Sequence, residues 1–292
     1  MGSSTNETAA TPAVGLLRPE VNDALVRRDR LAVHDELTTW VEHYWTVAWD
    51  LGDQGFVAEV VSHPSVHVTV ESGDRPRFGH PMPAGLVHGV ITRRFSQALA
   101  GTGRVFGVKF RPGGFGAFTG ADVGAWTDRV LRLSAAFGDP SDGLVADVLA
   151  ARSDAERAEV TDAFLLDRLP GRDERYDEVL AIVRDIQDDP ALTSVELAAR
   201  RSAMSVRSLQ RLFRRYVGVG PKWVLQRARL HDAVTRIDSG RAGDLAALAL
   251  ELGWFDQAHF TRDFSALVGQ SPAAYAGRRD PARPLSAGRS RG

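Results

Sequence analysis

Among its 292 residues the chain has no cysteine. That absence excludes disulfides, Cys-ligated zinc or iron–sulfur sites and thiol nucleophiles together, and it fits a reducing compartment. There is no run of 18 or more apolar residues and no basic-then-apolar leader at the N-terminus, so neither a spanning helix nor a membrane partner is expected, and the expected location is the cytoplasm. No Ser/His/Asp motif, phosphate-binding loop or dinucleotide fingerprint appears, so no catalytic residue, no cofactor and no enzymatic activity are expected. Net charge is also lacking: 36 Lys+Arg against 37 Asp+Glu leave −1. The balance hides a split, however. Residues 1–170 hold 16 Lys+Arg against 22 Asp+Glu (−6), and residues 171–292 hold 20 against 15 (+5). The basic excess sits on the C-terminal part, where it would favour a phosphate-bearing partner.

That part also contains a repeat. Laid over one another at an offset of 51 residues, the stretch from Leu197 to Pro221 and the stretch from Leu248 to Pro272 pair Leu197 with Leu248, Ala198 with Ala249, Arg211 with Arg262, Phe213 with Phe264, Gly218 with Gly269 and Pro221 with Pro272. A repeat means one supersecondary unit used twice. Each copy reads as helix, turn, helix. In the first, Thr193-x-x-Glu196 has the form of a capping box ahead of a short helix ending near Arg201. Ser205 then caps a second helix with Leu209, Leu212, Phe213 and Tyr216 on one apolar stripe. In the second, Asp244 starts a helix that Gly253 ends, and Asp256 caps a helix whose Phe260, Phe264 and Leu267 face inward.

Off those stripes lie Arg207, Gln210, Arg211 and Arg214 in the first copy and Gln257, Ala258, His259 and Arg262 in the second. A helix with an apolar back and an Arg/Gln front suits the major groove of B-DNA, since Arg can bond guanine O6 and N7 and Gln can bond adenine N6 and N7. A single polar helix face is usually only a solvated surface. Arg at equivalent places in two copies asks for more than solvation.

The segments SVELAARRSAMSVRSLQRLFRRYVGVGPKWVLQRARLHDA and AALALELGWFDQAHFTRDFSALVGQSPAAY resemble the two helix-turn-helix units and linker helix of AraC/XylS-type bacterial transcription regulators, over roughly Arg175 to Ala276. The resemblance implies two recognition helices, joined by a rigid helix from about Pro221 to Ser239, that enter successive major grooves. Carried over by position, Arg207, Gln210 and Arg211 read bases from the first helix and Gln257, Ala258 and Arg262 from the second. Arg214 is included in the DNA-binding set, and Arg278 or Arg279 is expected to touch phosphate. Ala258 departs from the polar residues common at its place. Beside double-stranded DNA, the resemblance leaves room for a small-molecule effector, a second copy of the chain and RNA polymerase as partners. Members fused to an alkyl-accepting repair domain need a reactive Cys, which this chain lacks.

The fold class expected is α+β in two domains: a β-rich, barrel-like N-terminal domain with flanking helices and an all-α double helix-turn-helix domain. The boundaries expected are 1–30 for a mostly disordered arm, on which Leu16-Leu17-Arg18-Pro19 can pack back, 31–170 for the sensor or dimerisation domain, 171–280 for the DNA-binding domain and 281–292 for a disordered tail. Strands are expected at 42–51, 56–62, 65–71, 75–78, 86–91 and 104–111, punctuated by Gly, Pro and Asp. The β-rich half likewise resembles a domain carried by some members of that family. Helices between Ala121 and Pro170, interrupted by Asp139-Pro140-Ser141-Asp142-Gly143, serve either dimer contacts or packing on their own domain.

His63, His67, His80 and His88 superficially suggest a metal cluster of the kind cupin barrels hold, but spacing alone does not make their side chains converge, and no metal is expected. Arg93-Arg94, Lys109 and Arg111 could hold an anionic effector, or be ordinary exposed strand cations. Trp40, Trp45 and Trp49 fit core packing better than a ligand pocket. The leading reading is a DNA-binding regulator. The alternative is a cupin-like small-molecule or metal-dependent enzyme with a DNA-binding tail.

Overall fold

The computed structural model describes residues 26–53 and 55–277. Most of the expected disordered arm, with residues 16–19, as well as Arg278, Arg279 and the tail 281–292, lie outside the described residues. Eight strands come first: β1 (Val26–Leu31), β2 (Val41–Asp50), β3 (Phe56–Val60), β4 (His67–Gly73), β5 (Ala84–His88), β6 (Phe95–Leu99), β7 (Thr102–Phe110) and β8 (Val130–Arg132). All but β3 and β6 form one antiparallel sheet in the order β1-β2-β7-β4-β5-β8, and β3 pairs with β6 as a separate ribbon. The sheet is open, since β1 and β8 end it on opposite edges and do not meet.

Three local readings need correction. Residues 26–30, assigned above to the disordered arm, form most of β1, which runs along β2 from Val26↔Trp49 to Leu31↔Tyr44. The polar run Arg27–Arg30 hid it, because an edge strand needs few apolar side chains. Residues 75–78 make no strand: Arg77 and His80 exchange backbone hydrogen bonds of 2.9 and 2.8 Å across a turn. Pro140 does not interrupt a helix but begins one, since at the first helical position its missing N–H costs nothing.

The alternation of β7 divides the sheet. Phe106, Val108 and Phe110 point to one face with Tyr44, Val68 and Val70, and pack with helices α3 (Pro140–Ala150) and α4 (Asp154–Leu166) through Leu144, Val148, Ala158 and Leu165. Between strands and these helices lie α1 (Gly114–Thr119) and the single turn α2 (Ser134–Phe137). The other face carries Trp45 and Trp49, whose rings lie flat on Gly107 and Gly103; a Cβ at either glycine would enter the ring. Ribbon β3–β6 covers that end of the face with Ala58 and Leu99.

The remaining helices are α5 (Glu174–Asp188), α6 (Val195–Arg201), α7 (Val206–Tyr216), α8 (Pro221–Asp238), α9 (Leu245–Glu251), α10 (Gln257–Val268) and α11 (Pro272–Gly277). Asp173 caps α5 by accepting from the backbone of Arg175 and Tyr176. The first helix-turn-helix does not have a core of its own: Leu209, Phe213, Val217, Val224 and Leu225 belong to the same apolar cluster as Phe115, Val123 and the sheet. Tyr176 seals the junction, packed on Gly113 and donating its hydroxyl to Thr39 O at 2.7 Å. The second unit has a separate core around Phe260, Phe264, Leu267 and Tyr275, into which the N-terminal domain inserts Val61.

Because Phe213 is fully buried in the shared cluster, Phe213→Ala should cost about 3–5 kcal/mol. Urea unfolding should show the N-terminal half and the first helix-turn-helix losing stability together. An N-terminal transition left at the wild-type midpoint would mean that the core is divided.

Candidate nucleic-acid interface

Each helix pair is built by its caps. Ser194, not Thr193, caps α6, accepting from Leu197 N; Ser205 caps α7 through Ser208 N at 3.1 Å. In the second copy Asp244 accepts from Ala246 and Ala247, and Asp256 accepts from His259 N at 2.6 Å. These caps expose a register change. The first helices, Val195–Arg201 and Leu245–Glu251, correspond at an offset of 50, whereas the recognition helices begin at Val206 and Gln257, an offset of 51. Turn hydrogen bonds agree: Met204 N donates to Ala199 O as Trp254 N donates to Ala249 O. The pairing of Leu197 with Leu248 and of Ala198 with Ala249 is therefore one residue out, although the pairs from Arg211/Arg262 onward hold. The second copy has one extra residue in its turn, Phe255. A uniform overlay conceals it because Ala and Leu recur throughout both first helices.

On α7, Leu209 and Phe213 are buried while Arg207, Gln210, Arg211 and Arg214 are all exposed. Elsewhere in the domain Arg175 is neutralised by Glu178 and Arg236 by Glu251, whereas the exposed Arg184 and Arg200 have no carboxylate partner among the described residues. Arg207, Arg211 and Arg214 have no such partner among the described residues. They border a cleft of about 640 Å³ shared with Lys222, Pro221, Asp122 and Gly124. Lys222, on the first turn of α8, had no signal in the sequence beyond its charge. The far end of α7 is tied to the N-terminal domain: Arg215 donates to the Ala121 and Gly120 carbonyls, and Thr127 Oγ1 donates to Gly218 O at 2.7 Å. The N-terminal end is left open, and that is the end from which helix-turn-helix proteins contact base edges.

On α10, Gln257, Ala258 and Arg262 are exposed, and His259 is taken up by Asp263 at 3.3 Å. Trp254 is buried against Phe260 and donates Nε1 to Asp263 at 3.0 Å, fixing the turn. The two recognition helices are joined by α8. Its Val224 and Leu225 pack in the first core and its Leu230, Ala233, Val234 and Ile237 in the second.

The N-terminal domain leans on α8 as well. Arg227, 3% exposed, donates to Thr92 O at 3.2 Å and lies 4.3 Å over Trp223. His231 stacks on His63 with ring centroids 4.2 Å apart and donates Nε2–H to Ser62 O at 3.4 Å. The four histidines lie apart in the structure: His63 meets the linker helix, His80 closes a turn, and His67 and His88 sit in the sheet. Among the described residues no three His, Cys, Asp or Glu side chains gather to hold a metal. Instead, His43, Lys109, His67 and His88 form one row across β2, β7, β4 and β5. Lys109 is buried and paired with Glu42 at 2.8 Å, so it is not an exposed strand cation. Burial raises the Glu42 carboxyl, but hydrogen bonds from His43 and Lys109 outweigh it and hold the group well below its usual range. His88 meets Glu71, which Arg77 also approaches at 2.8 Å. Trp45 donates to His67 Nδ1 at 3.1 Å, and burial together with the Lys109 charge pushes the His67 imidazole down to about 3.

Residues 198–278 match the family model described as a helix-turn-helix domain, and residues 29–132 match one described as a domain of unknown function, DUF6597. The C-terminal part of the chain therefore carries a helix-turn-helix domain of the AraC type, and the N-terminal part carries a DUF6597 domain. No curated protein matches the chain. Similar solved structures include ToxT from Vibrio cholerae, 8% identical over 87% of this chain and 98% of that one with a TM-score of 0.41. They also include the AraC-like transcriptional activator CuxR, 15% identical over 74% and 89% with a TM-score of 0.22. Among the described residues no helix is long and apolar enough to cross a membrane.

Burial lowers the His231 imidazole from 6.5 to about 4. The unfolded chain therefore binds the extra proton first, so stability is complete above pH 6.5 and is lost as the pH falls toward 4. By pH 4 the cost should approach about 3 kcal/mol, an upper value because the ring edge keeps some solvent. His231→Gln keeps a donor and removes the titration. Thermal unfolding from pH 7 to pH 4 should show the wild type losing more than the variant; equal losses would contradict the assignment.

Proposed function

We propose that the protein recognises specific double-stranded DNA by inserting α7 and α10 into successive major grooves. Arg207, Gln210, Arg211 and Arg214 would supply the first contact surface, and Gln257, Ala258 and Arg262 the second. The observation that carries this reading is the grouping of three exposed arginines on one helix, Arg207, Arg211 and Arg214 on α7, none paired with a carboxylate among the described residues and all bordering one cleft. The protein acts in the cytoplasm and affects transcription through RNA polymerase.

The N-terminal domain takes the role of sensor, dimerisation module or both. Support for sensing is the row of His43, Lys109, His67 and His88, buried or half-buried polar groups on the sheet of a domain whose Ser62, His63 and Thr92 touch the linker helix. A small molecule that altered that face would act on α8 directly. Support for dimerisation is weaker and rests on Leu149, exposed on α3.

With the full-length chain and an operator obtained by selection from random duplexes, a monomer should protect two major-groove segments about 10–10.5 bp apart. Arg211→Ala and Arg262→Ala should each cost roughly 1–3 kcal/mol on the operator and relax preference at their own base pairs. Lys222→Ala should weaken operator and random DNA alike and lower the salt slope by about one unit. If both arginine variants lose operator and scrambled duplex equally, direct readout by these residues is wrong.

A further inference from the structure

Phe255 is 87% exposed, the most exposed of the large apolar side chains described. Nothing about its backbone is loose. On one side Trp254 is buried and anchored to Asp263, and the Gly253 carbonyl accepts from Arg229 at 3.0 Å. On the other, Asp256 caps α10. Phe255 is the residue by which the second turn exceeds the first: Met204 and Trp254 both pack inward, Ser205 and Asp256 both cap, and Phe255 stands between with no counterpart. The insertion pushes an aromatic ring outward immediately before the end of α10 that leads into a groove.

The neighbouring face of α10 differs from that of α7 in the same sense. Ala258 stands where α7 has Arg207, and Thr261 stands where α7 has Gln210. Phe255, Ala258 and Thr261 follow one another at intervals of three, so they share a side of the module with Arg262 as the next residue. Two long hydrogen-bonding side chains have been replaced by methyl-bearing ones, and a ring has been added. Guanine and adenine edges offer such groups little. The thymine C5-methyl is the one apolar feature of the major groove, and Ala, the Thr methyl and Phe are the side chains that contact it.

Resting on the DNA-binding reading above, we infer that the second recognition helix reads thymine methyl groups through an apolar patch of Phe255, Ala258 and Thr261. Arg262 then supplies the polar contact. The two half-sites differ in kind: α7 selects by hydrogen bonds to purine edges, and α10 selects thymine-rich sequence.

The test uses the full-length protein on its selected operator, with each thymine in the α10 segment replaced by deoxyuridine. That change keeps base pairing and the O4 acceptor and removes only the methyl. Binding should weaken about fourfold for each buried methyl lost, while the same replacement in the α7 segment leaves it unchanged. Phe255→Ala should bind the thymine duplex several-fold more weakly and become less sensitive to deoxyuridine. Thr261→Ser, which removes one methyl and keeps the hydroxyl, should show a smaller change of the same kind. If deoxyuridine has no effect on the wild type while Arg262→Ala still weakens binding, the inference fails and the DNA-binding reading stands. If no sequence is preferred over random duplex, that reading fails first. If Phe255→Ala keeps its affinity and its deoxyuridine response but loses self-association in sedimentation, the ring serves a second copy of the chain and the inference is overturned.

Discussion

Helix α8 must satisfy two cores at once. Its first two turns bury Val224 and Leu225 with the sheet-backed cluster, and its last turns bury Leu230, Ala233, Val234 and Ile237 with the second helix-turn-helix. At a rise of about 1.5 Å per residue its 18 residues span about 27 Å. The separation of the two units is therefore set by a packed helix rather than by a loop, and neither unit can turn without opening apolar surface on α8. Pro221 at its start fits this role, fixing the entry angle where no backbone donor is needed.

Midway along that helix, Arg227 places a cation in the buried interior. Burial lowers its guanidinium to about 10, and no carboxylate is among the causes that shift it. Its support is the Thr92 carbonyl and the Trp223 ring, the first supplied by the N-terminal domain. A buried cation held only in part, with one guanidinium nitrogen on a carbonyl across the domain boundary and another unpartnered, links the two parts, since separation would return the charge to water but also break that contact with α8. The His63–His231 stack and the Arg94–Glu59 pair beside Gly269 extend the same boundary toward the second unit. The N-terminal sheet thus works as a brace for the C-terminal half, which a reading of the chain as two separate domains divided between residues 170 and 171 would not suggest.

How legible this was depended on the range of the interaction. Caps and stripes are local, and Ser205, Asp244, Asp256, Leu209, Phe213, Phe260 and Phe264 stand where the spacing of their own segments put them. The alternation in β7 was equally plain, because Phe106, Val108 and Phe110 repeat at the strand period. What the sequence did not reveal was long-range: β1 pairs through a polar stretch, His63 finds its partner 168 positions away at His231, and Lys109 is buried by a carboxylate from another strand. The missed insertion at Phe255 has a different cause. Ala and Leu occur so often in both first helices that a shift of one residue still leaves matches, and only the caps and the turn hydrogen bonds fix the register.

A surface left unsatisfied costs something to maintain, and the costs here lie on α7 and on the turn that leads into α10. Arginines without carboxylates repel one another along α7, and an exposed ring at Phe255 forgoes burial that Trp254, its neighbour, obtains. Some groups elsewhere in the C-terminal domain are paired, as Arg201 is with Asp189 and Tyr216 is with Asp173, while Leu250 on α9 is also left exposed. The domain is rigid beneath these exposed groups: Arg215 ties α7 to the N-terminal domain, and Trp254 ties α10 to its own turn. Rigid support under unsatisfied side chains is the arrangement by which binding avoids ordering cost, because the contact groups are already held when the partner arrives.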